Sequence, residues 1–434
     1  MSQHESKDRP LWQRIPLYLQ IAIALVIAVV VGVLLGAGNP NPNNVDTIKN
    51  LAIPCNLILK ALKALATPLI LLAVLHSFMT ATIPGRSGRR LAILLLTNTL
   101  VAILIGLLVA NVLQPGKWGS FGDAALSTGE VKKTLDPWGL LQDAVPASIL
   151  QPLVDNNVIQ LIVVALSFGI VLRALKSEQT AEGKTDYLPI QQLITILFEA
   201  VIRILHWVIA LVPLAVFGIV ASTVALKGFA PFKSLGAFII AVLVALLLQS
   251  CYYLTRVYFG SWVKPKNFLI GGSDALFTAF SSASSTATMP ITFEALIQKI
   301  GLRESSASLG ALVGSNFNND GTALYEAMSA LFVAQVLNLN LSLPQQLIVI
   351  LTSIVASVGA AGIPEAGLVT MTLVFTSVGL PTQYIALLVT VDWFLDRCRT
   401  AINVMGDMTV SALIDGKQRQ SQAEELAIES IIEE

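Results

Sequence analysis

The sequence predicts an all-α integral membrane protein, and three observations carry that prediction. The composition is apolar and poor in charge. The apolar residues fall in runs long enough to cross a bilayer. Beyond about residue 266 those runs are broken by polar, glycine-rich patches. Of 434 residues, 55% are hydrophobic and 12% charged, with a mean hydropathy of +0.74. A soluble domain carries roughly 25% charge.

The first half reads as conventional spans. Ile21–Gly36 is nearly all apolar and reads as a retained first span, since it is too long for a signal peptide and lacks a suitably placed cleavage site. Leu91–Leu113, Val158–Leu172, Trp207–Ala225 and Phe238–Leu248 follow. A helix needs about 20 mostly apolar residues to span a bilayer, and hydropathy predicts about six spans before residue 265. Loop charge sets the orientation. Arg86, Arg89 and Arg90 crowd one predicted loop, Arg173, Lys176 and Lys184 a second, Lys264 and Lys266 a third. The Gly38–Asn50 loop holds one lysine, and Gly116–Trp138 carries both signs. The basic loops, and with them both termini, are therefore expected on the cytoplasmic side.

Several function classes fall away. Equal numbers of acidic and basic residues give no global field for nucleic acid. Cys55, Cys251 and Cys398 lie in apolar segments without disulfide or zinc spacing. His4, His76 and His206 lie outside the polar patches, so no nucleophile–base pair is available for an enzyme, and no cofactor is expected.

Four patches mark the second half: Ser281–Pro290, Gly314–Thr322, Gly359–Gly367 and Asp392–Asp407. In a bilayer, irregular backbone survives only where protein or a wet cavity satisfies it. The first and third patches each separate two apolar runs too short to span alone, the pattern of a re-entrant hairpin. Small residues also let membrane helices pack closely, so a Ser- or Gly-rich patch alone has a purely structural reading.

The last apolar segment carries the charge. At about 100° per residue, Asp392, Asp396, Arg399, Thr400, Asn403 and Asp407 fall within an arc of roughly 100°. Phe394, Leu395, Ala401 and Ile402 lie opposite. Ionisable groups at membrane depth are costly and usually functional. An internal Asp396–Arg399 pair joining two helices is the structural alternative. The Arg399 fork suits a carboxylate, and Asp396 suits an ammonium one turn away. Ser285, Thr286 and backbone N–H groups at the hairpin tips can serve a second carboxylate. Asp320, Asp407, Asn318 and Asn403, with carbonyls from Gly314 and the Gly-rich patch, are hard oxygen ligands for a small dehydrated cation.

At these residues the chain resembles the dicarboxylate/amino acid:cation symporter family, the glutamate and aspartate transporters. The resemblance is most specific over residues 268–415. It continues into Ala66–Phe78 (ATPLILLAVLHSF) and Asn157–Gly169 (NVIQLIVVALSFG). AAGIPEAGLVTMTLVFTSVGLPT and VDWFLDRCRT look like the excitatory amino acid transporters of animals. The resemblance implies eight transmembrane helices plus two re-entrant helical hairpins, with scaffold and transport domains in an elevator-type homotrimer. The chain then divides into an N-terminus (1–14), six helices (15–265), a transport core (266–415) and an acidic tail (416–434). The hairpins fall at about 267–300 and 344–379. The expected location is the plasma membrane, or the inner membrane of a bacterium.

Residue by residue, Ser285, Thr286, Thr322, Asp396, Arg399, Thr400 and Asn403 match substrate-holding side chains, with backbone near Ala361, Ile363 and Gly367 completing the pocket. Arg399 matches the reader of the side-chain carboxylate and Asp396 the reader of the α-amino group. Together they imply L-glutamate or L-aspartate. A C4-dicarboxylate symporter and a substrate-gated anion channel are the alternatives.

The cation candidates are Gly314, Asn316, Asn318, Asp320, Ser357, Asn403, Asp407, Asn98 and Thr99. Two of the family's ion-site positions differ. The signature Asn-Met-Asp-Gly-Thr is here Asn318–Thr322 with Asn319 for methionine, and Asn98–Thr99 replace a hydroxyl pair. Glu326, and more weakly Glu365, match proton-carrier positions. Sodium symport, proton symport and altered coupling all follow from these residues.

Overall fold

Apolar runs in this chain become helix because a lipid-facing backbone must satisfy its own hydrogen bonds. The computed structural model describes residues 15, 17–80, 85–119, 145–155, 158–359 and 366–419. Among them there is no strand. The long helices are α1 (Leu17–Leu34), α2 (Ile53–Thr80), α3 (Gly85–Leu113), α4 (Val158–Ala181), α5 (Leu188–Ile209), α6 (Val212–Lys227) and α7 (Ala230–Gly260). After them come α8 (Pro265–Ser282), α9 (Ser285–Glu294), α10 (Asp320–Val336), α11 (Leu343–Gly359), α12 (Ala366–Ser377) and α13 (Ile385–Asp415). Among the described residues four helical stretches are long and apolar enough to cross a membrane: Pro42–Thr80, Gly88–Lys117, Leu188–Lys227 and Ala230–Gly260. The two helices α5 and α6 form one of these stretches, broken at Ala210–Leu211 ahead of Pro213.

Two of the expected basic loops are helix instead. Arg89 and Arg90 sit in the first turns of α3, and Arg173 and Lys176 in the last turns of α4. The helices outrun their apolar runs because these cations find carbonyls. Arg90 donates to Leu413 O at 2.7 Å and Lys176 to Met79 O at 2.7 Å. The Gly116–Trp138 loop lies mostly outside the described residues, as do residues 1–14 and 420–434.

Packing sorts the helices into two groups. α6 packs along α1, and α2 packs on α4, α5 and α6. Gly32 permits the first contact, since a Cβ there would sit 2.6 Å from Val224 Cβ. The second group surrounds α10, which α3, α7, α11, α12 and α13 all touch. Phe238 of α7 packs against Tyr325 and Phe332 of α10, with ring centroids 5.8 and 4.5 Å apart. The groups meet where α2 touches α11 and α12, and where α6 touches α13.

α8 and α9 pack together and on α13 as a helical hairpin. Its tip is legible in local chemistry. Ala283 adopts the left-handed conformation (φ 53°), and Ser284 caps α9 by accepting from Ala287 N at 3.1 Å. α11 and α12 also pack together, joined through residues 360–365, which lie outside the described set. Ahead of α10 the chain is irregular: Glu304–Ser308 is α-helical, Leu309–Val313 a wide π-helical turn, Gly314–Phe317 again α-helical. Asn318 and Asn319 then leave the helix. Asparagine side chains compete for backbone partners, and here both side chains bond to other segments.

Candidate functional site

Polar residues buried at membrane depth each cost several kcal/mol unless satisfied, roughly in line with intramembrane charges generally. On α13 the whole predicted stripe is buried: Asp392, Asp396, Arg399, Thr400, Asn403 and Asp407. Arg399 is 0% exposed. Its Nη2 donates to Asp396 Oδ1 at 2.6 Å, and its Nη1 lies 3.1 Å from Asp392 Oδ1. The guanidinium stacks on the Tyr325 ring, 4.0 Å from the centroid. It also rests on Gly367 at the start of α12, where a Cβ would approach Nη1 to 3.1 Å. Asp392 belongs to the predicted stripe, and its proximity to Arg399 two turns on makes it a second counter-charge.

Arg399 is nonetheless incompletely bonded. Its Nε and Nη1 make no hydrogen bond of good geometry, although both are buried. A planar guanidinium with unused donors beside a carboxylate is an arrangement that can accept an anionic ligand. Asp396 spends its backbone carbonyl on Thr400 Oγ1 at 2.8 Å and keeps its carboxylate toward Arg399.

Asn403, one turn further, organises the start of α10. Its Oδ1 accepts from Gly321 N at 2.8 Å. Its Nδ2 donates to Asn319 Oδ1 at 3.3 Å and Thr322 Oγ1 at 3.4 Å. Thr322 and Asn403 are thus brought together as expected from their positions. Ser285 is buried and donates to Ser315 O at 3.2 Å, which ties the first hairpin tip to the broken segment. Thr286 does not join this cluster; its side chain is exposed. Ala361, Ile363 and Glu365 lie outside the described residues, and nothing is described of the Asn316 side chain.

The oxygen-rich residues form two separate clusters. In the first, Asn318 Nδ2 donates to Asp407 Oδ1 at 3.1 Å and to Asn403 O at 3.3 Å. Gly314 lies against Asp407, where a Cβ would fall 3.0 Å from Cγ. Asn318 Oδ1 is buried and unbonded. A carboxylate, an amide oxygen and nearby carbonyls fit a small hard cation. In the second, Asp320 is held by Thr99 Oγ1 at 2.6 Å and by the Tyr253 hydroxyl. Asn98, from the same turn of α3 as Thr99, accepts from Arg256 instead.

Sequence reasoning misses two residues: Tyr253 and Arg256 of α7 follow its apolar run, in a mixed polar and aromatic stretch where only their i, i+3 spacing hints at a shared face. Asn319 donates to Ser357 O at 2.9 Å and so occupies a carbonyl expected to face a cation. The presence of an amide where the motif usually has methionine was the available signal. Glu326 is fully buried and accepts from Thr370 Oγ1 on α12. Arg397 donates to Phe280 O at 3.0 Å and to Ser281 O, serving the last turn of α8.

Long apolar helices around a buried, charged and incompletely bonded centre define a membrane carrier rather than an enzyme. Residues 17–417 match the sodium:dicarboxylate symporter family, and the chain belongs to it. It is 30% identical to mouse excitatory amino acid transporter 4 over 87% of this chain and 80% of the relative. It is 28% identical to mouse excitatory amino acid transporter 3 over 96% and 89%, respectively. Excitatory amino acid transporter 1 of Ambystoma tigrinum is 30% identical over 89% and 81%.

Proposed function

We propose that the chain is a secondary active transporter of L-glutamate or L-aspartate, coupled to few cations. The observation that carries this reading is Arg399: buried, flanked by Asp396, with Nε free of any hydrogen bond and Nη1 held only by its ion pair with Asp392. The side-chain carboxylate of the substrate would take the free edge of the guanidinium. Its ammonium would take Asp396, and its α-carboxylate the N-terminus of α9 around Ser285. A C4-dicarboxylate could fill both carboxylate positions but would bring no ammonium, leaving the buried Asp396 without its counter-charge.

The proposed cycle uses the two helix groups. α1, α2, α4, α5 and α6 act as the scaffold, and the helices around α10 as the transport body that slides past them as an elevator. The hairpins α8–α9 and α11–α12 re-enter the membrane and flank the substrate, and the active form is a homotrimer in the plasma membrane with cytoplasmic termini. The Gly314–Asn318–Asn403–Asp407 cluster holds the coupled cation, sodium first by its oxygen chemistry. Glu326 is the candidate for a carried proton, since Thr370 links it to α12 beside Gly367.

The test is uptake of labelled L-aspartate by purified protein in proteoliposomes, with sodium and pH varied separately. Saturable uptake competed by L-glutamate and not by succinate is expected. Equal competition by succinate would mean a dicarboxylate carrier, and current without substrate a channel.

A further inference from the structure

Around Asp320 three helices place four polar side chains. α3 supplies Asn98 and Thr99, α7 supplies Tyr253 and Arg256, and Asp320 opens α10. Taken as oxygens alone, a carboxylate, an amide carbonyl and two hydroxyls would suit a hard cation. The hydrogens decide otherwise. Thr99 Oγ1 donates to Asp320 Oδ1 at 2.6 Å and the Tyr253 hydroxyl donates to Oδ2, so each carboxylate oxygen faces a proton. The amide oxygen of Asn98 receives Nη1 of Arg256. Asn98 and Thr99 are neighbours on α3, so the guanidinium and the Asp320 carboxylate are held by adjacent residues of one helix. The guanidinium is steadied by the Tyr252 ring, 5.6 Å from centroid to Cζ.

We propose that Arg256 is a built-in counter-charge that takes the place of a transported cation at the Asp320 cluster. The cluster is then neutral without any ion, since one carboxylate meets one guanidinium. Arginine keeps its proton at every working pH, so the charge is permanent. It is also tethered. α3, α7 and α10 pack on one another and so hold the pair together. A free ion there would have to turn two hydroxyl donors away, displace Arg256 from Asn98, and leave the cluster with an excess positive charge. The carrier therefore couples one cation fewer than the same oxygens would without the arginine. This rests on the cation-coupled reading above.

The alternative is a plain strap between α3 and α7, and the sodium response separates the two. In full-length purified protein, the dissociation constant of L-aspartate is measured against NaCl, with choline chloride holding ionic strength. Arg256→Gln is expected to make the slope of log Kd against log sodium steeper, more negative by about one, the linkage of one added ion. Arg256→Lys, which keeps the charge, is expected to retain the wild-type slope. A wild-type slope in Arg256→Gln overturns the proposal.

Thermal unfolding against NaCl without amino acid gives an independent reading. Arg256→Gln should gain a larger sodium-dependent rise in Tm than wild type, and an equal rise overturns the proposal. This arm stands even where L-aspartate binds no variant, an outcome that would count against the substrate reading alone. Should Arg256→Gln not fold, Arg256→Gln combined with Asp320→Asn removes both charges. Its slope should match wild type, and a slope shallower by about one would mean that Asp320 does hold an ion.

Discussion

The Arg399–Asp407 face of α13 and the Asp320 corner are equally buried, yet they differ in what their polar atoms still lack. On α13, Arg399 Nε and Nη1 have no hydrogen bond, nor does Asn318 Oδ1 opposite Asp407. At Asp320 both carboxylate oxygens are bonded and a guanidinium stands behind them. Buried donors and acceptors carry their full desolvation cost when unbonded. A protein retains such a cost where a ligand removes it. The first region is built to be completed from outside, whereas in the second the carboxylate is completed by the protein's own side chains and only Asn98 Nδ2 lacks a partner.

Three substitutions test that contrast, and the largest effect is expected at Arg399. Arg399→Cys removes the charged donors offered to a substrate carboxylate. A hydrogen bond to a charged group is worth about 1.5–3 kcal/mol, so L-aspartate should bind roughly 10- to 150-fold more weakly. Preference should shift toward neutral amino acids. Asp392 and Asp396 are left without their partner, so the variant should also melt lower than wild type. Calorimetry that finds wild-type L-aspartate affinity in this variant would remove Arg399 from the site.

Asp407→Asn comes next. Its carboxylate is the only charge in the cluster with Gly314, Asn318 and Asn403. The slope of log Kd for L-aspartate against log sodium should become shallower, less negative by about one, with little change in affinity measured without sodium. An unchanged slope would mean that this cluster, like the Asp320 corner, is filled from within.

Much of this contrast was readable before any coordinates, and the unreadable part has a physical cause. The polar stripe of α13 follows from helical periodicity, and charge in an apolar run is conspicuous. The interruptions at Ser281–Pro290 and Gly314–Thr322 predict irregular backbone, and the chain does turn at Ala283–Ser284 and at Asn318–Asn319. Helix ends were less legible. Arg90 and Lys176 look like loop residues until distant carbonyls are known to receive them. The partner of Asn98 could not be found from pattern either. It is 158 positions away in sequence, and although an arginine inside α7 is conspicuous, nothing in that helix's own pattern says that it meets α3. Spacing within one helix is legible, whereas pairing between helices depends on how they pack.

The smallest effect is expected at Asn319, where the two regions adjoin. Its Oδ1 accepts from Asn403 on the α13 side, while its Nδ2 donates to Ser357 O on α11. That donation links the broken segment to the second hairpin limb by a fixed N–H. Asn319→Met restores the residue type usual at this place in the motif and removes the donor. Of the two neutral bonds lost, the shorter, to Ser357 O, is the one that holds α11, and at about 1 kcal/mol its loss should lower L-aspartate affinity without sodium roughly fivefold. The Ser357 carbonyl would then be free, and a buried carbonyl without a donor favours a cation. Sodium should therefore recover the lost affinity in Asn319→Met more strongly than it raises affinity in wild type. A fivefold loss that sodium does not recover would make Asn319 a structural tie alone. An unchanged affinity with an unchanged sodium response would show that α11 is held to the broken segment by other contacts.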